Sequence, residues 1–136
     1  METEDVLAIQ RIINLYGVLV DDERWDDLAE VFTDDAVLEV RPLDWTMRGV
    51  GEIAAGYSGI RHPLGHHMTN TVLAGGSTDD EATGITKYIT VRQDGSSGTG
   101  VYEDRFVRTP AGWRIAERVA KQRSTVPPVV TRQQDR

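Results

Sequence analysis

Two of the chain's three histidines stand side by side at positions 66 and 67, heading the run HHMTNTVL. An unperturbed imidazole titrates near pH 6.5, so either ring is a candidate general base. The run is rich in Thr, Val and Leu and reads as a β-strand, whose successive side chains point to opposite faces. Strict alternation groups His66 with Met68, Asn70 and Val72, and His67 with Thr69, Thr71 and Leu73. The first set is the more apolar. It turns His66 inward toward a pocket, with Met68 beside it, and His67 outward. The competing reading makes both histidines ordinary polar residues of a sheet. No metal is expected: Pro63 and Gly65 break a helical spacing between His62 and His66, and His66 and His67 diverge.

Other polar residues offer chemistry with a plainer alternative beside each. Tyr102, Asp104 and Phe106 share one face of a strand. A carboxylate between two rings has a raised pKa and suits a second acid or base, unless it pairs with Arg105 or Arg118. Asn70 can donate to a substrate carbonyl or bond the sheet edge. Arg118 alternates against Trp113, Ile115 and Val119, so it faces away from the pocket if those residues line it. Asp21 opens the acidic turn Asp21-Asp22-Glu23, whose default meaning is a solvated helix end. The glycines match neither a phosphate loop nor a dinucleotide fingerprint.

The elements that must position these residues follow from periodicity. Val6, Ile9, Ile12, Ile13, Tyr16, Leu19 and Val20 recur at helical steps, giving a helix over residues 3–20 with Thr3 as N-cap. WDDLAEVF (25–32) gives a second, short helix with Trp25 inward. AVLEV (36–40) alternates as a strand, and Gly51 to Tyr57 makes a third short helix. Residues 66–74, 82–92, 99–108 and 112–123 are strands separated by turn signals at Gly75-Gly76, Asp94-Gly95 and Pro110-Ala111-Gly112. Such short connections imply an antiparallel meander. The fold class is therefore α+β, with three N-terminal helices packed on a curved antiparallel sheet. One domain is expected over residues 1–123. From Ser124 the chain reads as a flexible tail, 124–136.

Composition narrows the partners. The 136 residues carry a net charge of −7, which disfavours nucleic acid and an anionic membrane surface. A small molecule is the expected ligand. There is no cysteine, which removes disulfides and thiolate catalysis. The acidic opening METED is unlike a secretory signal, so a cytoplasmic location is expected.

The order helix, helix, strand, helix, meander resembles the SnoaL-like branch of the nuclear transport factor 2-like superfamily. LYGVLVDDERWDDLAEVFTDDAVLE resembles the family's opening, HHMTNTVL its histidine strand and GWRIAERV its closing strand. The similarity covers roughly residues 5–122. It implies a cone-shaped α+β barrel around an apolar pocket, and a homodimer. Polyketide cyclases, scytalone dehydratase, bile-acid dehydratase and a lindane dehydrochlorinase belong to that branch. The resemblance therefore implies cofactor-independent dehydration, isomerisation or cyclisation of a small, largely apolar oxygenated substrate. It pairs His66 with Asp21 as a catalytic dyad and gives Tyr16 the holding of a substrate oxygen. It also puts Arg118 where relatives hold a leaving group or oxyanion, and the wider pocket set adds Asn70, Tyr102, Asp104, Met68 and Trp25. One geometric condition attaches to Tyr16: five helical residues rotate about 500°, so Tyr16 and Asp21 converge only if the helix stops before Asp21. Two other uses of the fold remain open. One is a non-catalytic binding or dimerisation module; the other is a limonene-type epoxide hydrolase, which needs an Asp-Arg-Asp set.

Overall fold

A computed structural model describes residues 1–123; the expected tail and the boundary before it lie outside the described residues. Helix α1 spans Thr3–Asp21 and buries Ile9, Ile12, Ile13, Tyr16, Leu19 and Val20 on one stripe. Its N-cap is Glu2 rather than Thr3, because the Asp5 carboxylate reaches back and accepts from the Glu2 N–H at 3.0 Å. The opposite end is closed by Glu23 in the left-handed region at φ 55°. The Glu23 N–H donates to the Val20 carbonyl and the Arg24 N–H to Leu19. That cap makes Asp21 the last helical residue.

Downstream, Trp25–Glu30 is a single stretch of 3-10 helix, shorter than the second helix expected. Phe32 already opens strand β1 (Phe32–Arg41), whose alternating burial continues through Ala36, Leu38 and Val40. A tight turn with Asp44 at φ 53° leads into β2 (Trp45–Arg48), a strand too short to show a period in the sequence. Helix α2 (Val50–Ser58) matches the third helix expected and buries Ile53 and Tyr57. The meander follows as β3 (Gly65–Gly75), β4 (Glu81–Val91), β5 (Ser97–Thr109) and β6 (Gly112–Arg123). Among the described residues no helix is long and apolar enough to cross a membrane.

All six strands form one sheet in the order β2-β1-β6-β5-β4-β3. It is mixed rather than purely antiparallel, because β1 runs parallel to β6. Those two strands are distant in sequence, so no hairpin constrains their direction. Three register shifts interrupt the sheet, and two of them are single-residue bulges. On β3, Met68 faces Tyr88 but Thr71 faces Thr86, so one extra residue lies between them. On β6, Ile115 faces Phe106 and Glu117 faces Arg105, leaving Ala116 as the extra residue. Each bulge kinks its strand and reverses which residues face inward. The concave face so formed holds α1, and the site lies between that face, the end of α1 and α2.

Candidate active site

Asp21 and His66 meet. His66 Nδ1 lies 2.6 Å from Asp21 Oδ1, and the His66 backbone N–H donates to Asp21 Oδ2 at 3.0 Å. Both carboxylate oxygens are thus used on one residue, which fixes the ring's position and its tautomer together. An ionised carboxylate can only accept, so Nδ1 carries the proton and Nε2 presents its lone pair. His66 lines the cavity and its side chain is mostly buried. Burial lowers its pKa below 6.5, and this outweighs the opposing pull of Asp21. The ring is therefore neutral at physiological pH, the form a base must have.

Close approach of α1 to β3 makes this contact feasible. A Cβ placed on Gly17 would lie 3.0 Å from the His66 carbonyl and 3.1 Å from Met68 Cε. Gly17 is the residue that lets helix and strand touch backbone to backbone. Replacing it with Val is expected to cost about 1–3 kcal/mol through overpacking, with only a small helix-propensity gain to offset it. Urea unfolding checks this; an unchanged midpoint would mean the helix–strand spacing is looser than described.

The cavity holds about 290 Å³, at the lower end of small-ligand pockets. Tyr16, Tyr57, Tyr88 and Tyr102 supply much of its wall, with Val40, Leu43, Trp45 and Ile60. Tyr16 Oη and Tyr57 Oη share a hydrogen bond of 2.7 Å. Tyr88 and Tyr102 stack at 4.3 Å, and the Tyr88 ring covers Gly100, where any side chain would collide with it. Burial raises the pKa of Tyr57 and Tyr102 well above 10 and that of Tyr88 to about 12. These phenols stay protonated and serve as hydrogen-bond partners, not bases. The wall is thus a mixture of rings and hydroxyls, less apolar than expected.

Behind Tyr16 and Tyr102 lies a second pair. Arg118 Nε and Nη2 donate to Asp104 Oδ1 and Oδ2 at 2.7 and 2.8 Å, and both side chains are 0% exposed. The guanidinium carbon sits 4.4 Å from the Tyr16 ring centre and 3.9 Å from that of Tyr102. Nη1 is buried with no hydrogen-bond partner. The two aromatic faces supply the interaction that a third acceptor would otherwise give. Burial by itself would lower the arginine's pKa, but the charge and hydrogen bonds of Asp104, with the neighbouring Tyr16 and Tyr102, together outweigh it and the net shift is upward.

Several sequence expectations need correction here. Arg118 does not face away from the interior: the bulge at Ala116 resets alternation, so it joins Ala120 and Gln122 on the concave side, beneath the tyrosines. Asp104 is inward as expected, but it is bound at both oxygens to Arg118 and is not a free acid or base. Nor do these two form a hydrolase set, since among the described residues Arg118 Nη1 has no second carboxylate. Asn70 is exposed, because the β3 bulge hands the inward positions to Thr71 and Leu73. Met68 packs under α1 against Gly17 instead of lining the cavity. Trp25 stands behind the wall, its ring 6.2 Å from Tyr57 and 5.1 Å from His62. Tyr16 does reach the cavity although α1 continues through Asp21; the two converge because His66 lies between them, its ring 6.3 Å from that of Tyr16.

Tyr57, Tyr88 and His62 were not anticipated. Tyr57 and Tyr88 carried a usable signal: each is an aromatic on the buried stripe of its element, Tyr57 with Ile53 and Tyr88 with Thr86. His62 had none. It sits in a loop, held by a 2.8 Å hydrogen bond from Nε2 to the Tyr57 carbonyl.

Residues 1–119 match the SnoaL-like domain family. An uncharacterized protein of Mycobacterium tuberculosis strain H37Rv is 30% identical over 125 residues, spanning 87% of this chain and 85% of its own length. A solved structure from Novosphingobium aromaticivorans, a nuclear transport factor 2-like protein with a cystatin-like fold, superposes with a TM-score of 0.78. It is 25% identical and covers 94% of this chain and 88% of its own. A protein of N. aromaticivorans DSM 12444, provisionally assigned as a scytalone dehydratase, gives a TM-score of 0.74 at 21% identity. It covers 88% of this chain and 84% of its own, and at that identity the likeness shows the fold alone.

Proposed function

This chain belongs to the SnoaL-like domain family, and from that premise we propose that it is a cofactor-independent acid–base enzyme. The reaction would be a dehydration, isomerisation or cyclisation of a small oxygenated molecule. The observation that carries this reading is the 2.6 Å contact between His66 Nδ1 and Asp21 Oδ1 beside a tyrosine-walled cavity. Similarity of fold to a provisional scytalone dehydratase supports it.

In this reading Nε2 of His66 takes a proton from a substrate C–H, and Asp21 stabilises the imidazolium that results. For a dehydration, the electron pair of the broken C–H bond forms the double bond as the hydroxyl departs. The imidazolium returns the proton to that hydroxyl, so one water leaves and the enzyme ends unchanged. The phenols of Tyr16 and Tyr57 hold two protons between them, and one is used in their mutual bond. The other is available to donate to a substrate oxygen.

The active form is neutral His66, whose pKa is lowered by burial from 6.5. Activity as kcat/KM is expected to be flat through neutrality and to fall only as pH drops through that lowered value, below about 6.5. A profile whose acid limb lies above pH 6.5 would sink the assignment.

We further propose that the chain forms a homodimer through the outer face of the meander, where Val72, Ile85 and Ile89 are 71%, 52% and 42% exposed. Sedimentation velocity checks this; a monomer at all concentrations contradicts it.

A further inference from the structure

The cavity is collected from a strongly acidic chain, yet no Asp or Glu lines it among the described residues. Three arginines do: Arg61 after α2, Arg92 just past β4, and Arg123 closing β6. All three are exposed and therefore stand at the cavity's mouth. None of them makes an ion pair within 4.0 Å among the described residues, whereas Arg24, Arg41, Arg105, Arg108, Arg118 and Lys121 all do. The chain has 22 acidic side chains against 15 basic ones, yet the charged side chains that line this opening are all arginines.

Arg92 is also held in place. Its Nη1 donates to the Ser97 carbonyl at 2.7 Å and to Ser96 Oγ at 3.3 Å. Its Nη2 lies over Gly98, where a Cβ would come within 2.6 Å of it. Asp94, the carboxylate of the neighbouring recess, is committed to its own turn, accepting from the Ser96 N–H and hydroxyl. A fixed guanidinium with donors to spare is suited to a carboxylate or sulfonate.

We propose that the cavity takes an anionic, ring-bearing molecule, with its rings among Tyr16, Tyr88 and Tyr102 and its acid group held at the mouth by Arg61, Arg92 and Arg123. This specifies the substrate class for the function proposed above and rests on that site being a ligand site, though not on catalysis. Aromatic walls favour flat ring systems, and the arginine rim supplies selectivity for charge.

Two probes with the same ring skeleton test it by fluorescence titration: 1-anilinonaphthalene-8-sulfonate, which is anionic, and N-phenyl-1-naphthylamine, which is neutral. The wild-type chain is expected to bind the sulfonate at least about tenfold more tightly. An Arg61→Gln/Arg92→Gln chain is expected to lose most of that preference while keeping its affinity for the neutral probe, which also reports that it is folded. On the wild-type chain, raising salt to about 0.5 M is expected to weaken the sulfonate alone. Equal affinities, a preference untouched by both salt and the arginine substitutions, or no binding of the sulfonate would each overturn the inference. His66→Ala is expected to keep the preference, so full turnover in that chain with the preference intact counts against the catalytic reading and not against this one.

Discussion

A His66→Ala chain is expected to fold normally and to act on its substrate about 10²–10⁴-fold more slowly in kcat/KM. Asp21→Asn is expected to lose activity on a similar scale despite being nearly isosteric. The native carboxylate accepts twice, from Nδ1–H and from the His66 backbone N–H. An amide cannot do both: its NH₂ must face one of them. If it faces the ring, Nδ1 becomes the acceptor and the proton moves to Nε2, which removes the lone pair the reaction needs. The double variant is expected to be little worse than either single one, because residues acting as a unit are not additive. Steady-state rates above pH 6.5 check this. Full activity in either single variant contradicts the mechanism.

The largest stability effect belongs to Asp104. Its partner Arg118 has a side chain with no exposed surface and one nitrogen already lacking a hydrogen-bond acceptor. In Asp104→Ala the guanidinium keeps its charge, since an arginine is not deprotonated in proteins, and loses the one counter-ion it has among the described residues. Breaking such a pair from one side costs about 3–5 kcal/mol, a large part of the total for a domain of this size. Replacing both partners with apolar residues, Asp104→Leu with Arg118→Met, is expected to recover most of that loss. Activity is not expected to return with it, because Tyr16 and Tyr102 rest against the guanidinium. Urea unfolding of the three variants checks the cycle. A cost below about 1 kcal/mol for Asp104→Ala would mean that water or rearrangement reaches the arginine.

How far the sequence could be read depended on strand regularity. Helix α1 was legible because its apolar residues keep one period over its whole length, and the four meander strands because turn residues bracket each one. The Asp21–His66 pair was legible only through family resemblance, since nothing local in Asp21-Asp22-Glu23 distinguishes a buried carboxylate from a solvated one. Alternation worked for Tyr102, Asp104 and Phe106, which lie on an unbulged stretch of β5 and all turn inward. It failed for Asn70 and Arg118 for one shared reason. Asn70 lies within the single-residue bulge of β3 and Arg118 follows that of β6, and one insertion moves every later side chain to the other face. Bulges leave no period in the sequence, so a strand in a curved sheet is readable only up to the first of them. The arginine rim was illegible on different grounds. Arg61, Arg92 and Arg123 come from three loops or strand ends that only the fold brings to one opening.

The mechanism rests on His66 being held by Asp21 as a neutral base with its lone pair on Nε2. Long-range ¹H–¹⁵N correlation spectra of the histidine rings, followed from about pH 8 to pH 5, test it without any substrate. The His66 ring is expected to be protonated on Nδ1 and bare at Nε2 through neutrality, gaining its second proton only below pH 6.5. A ring protonated on Nε2, or one already doubly protonated at neutral pH, would contradict it.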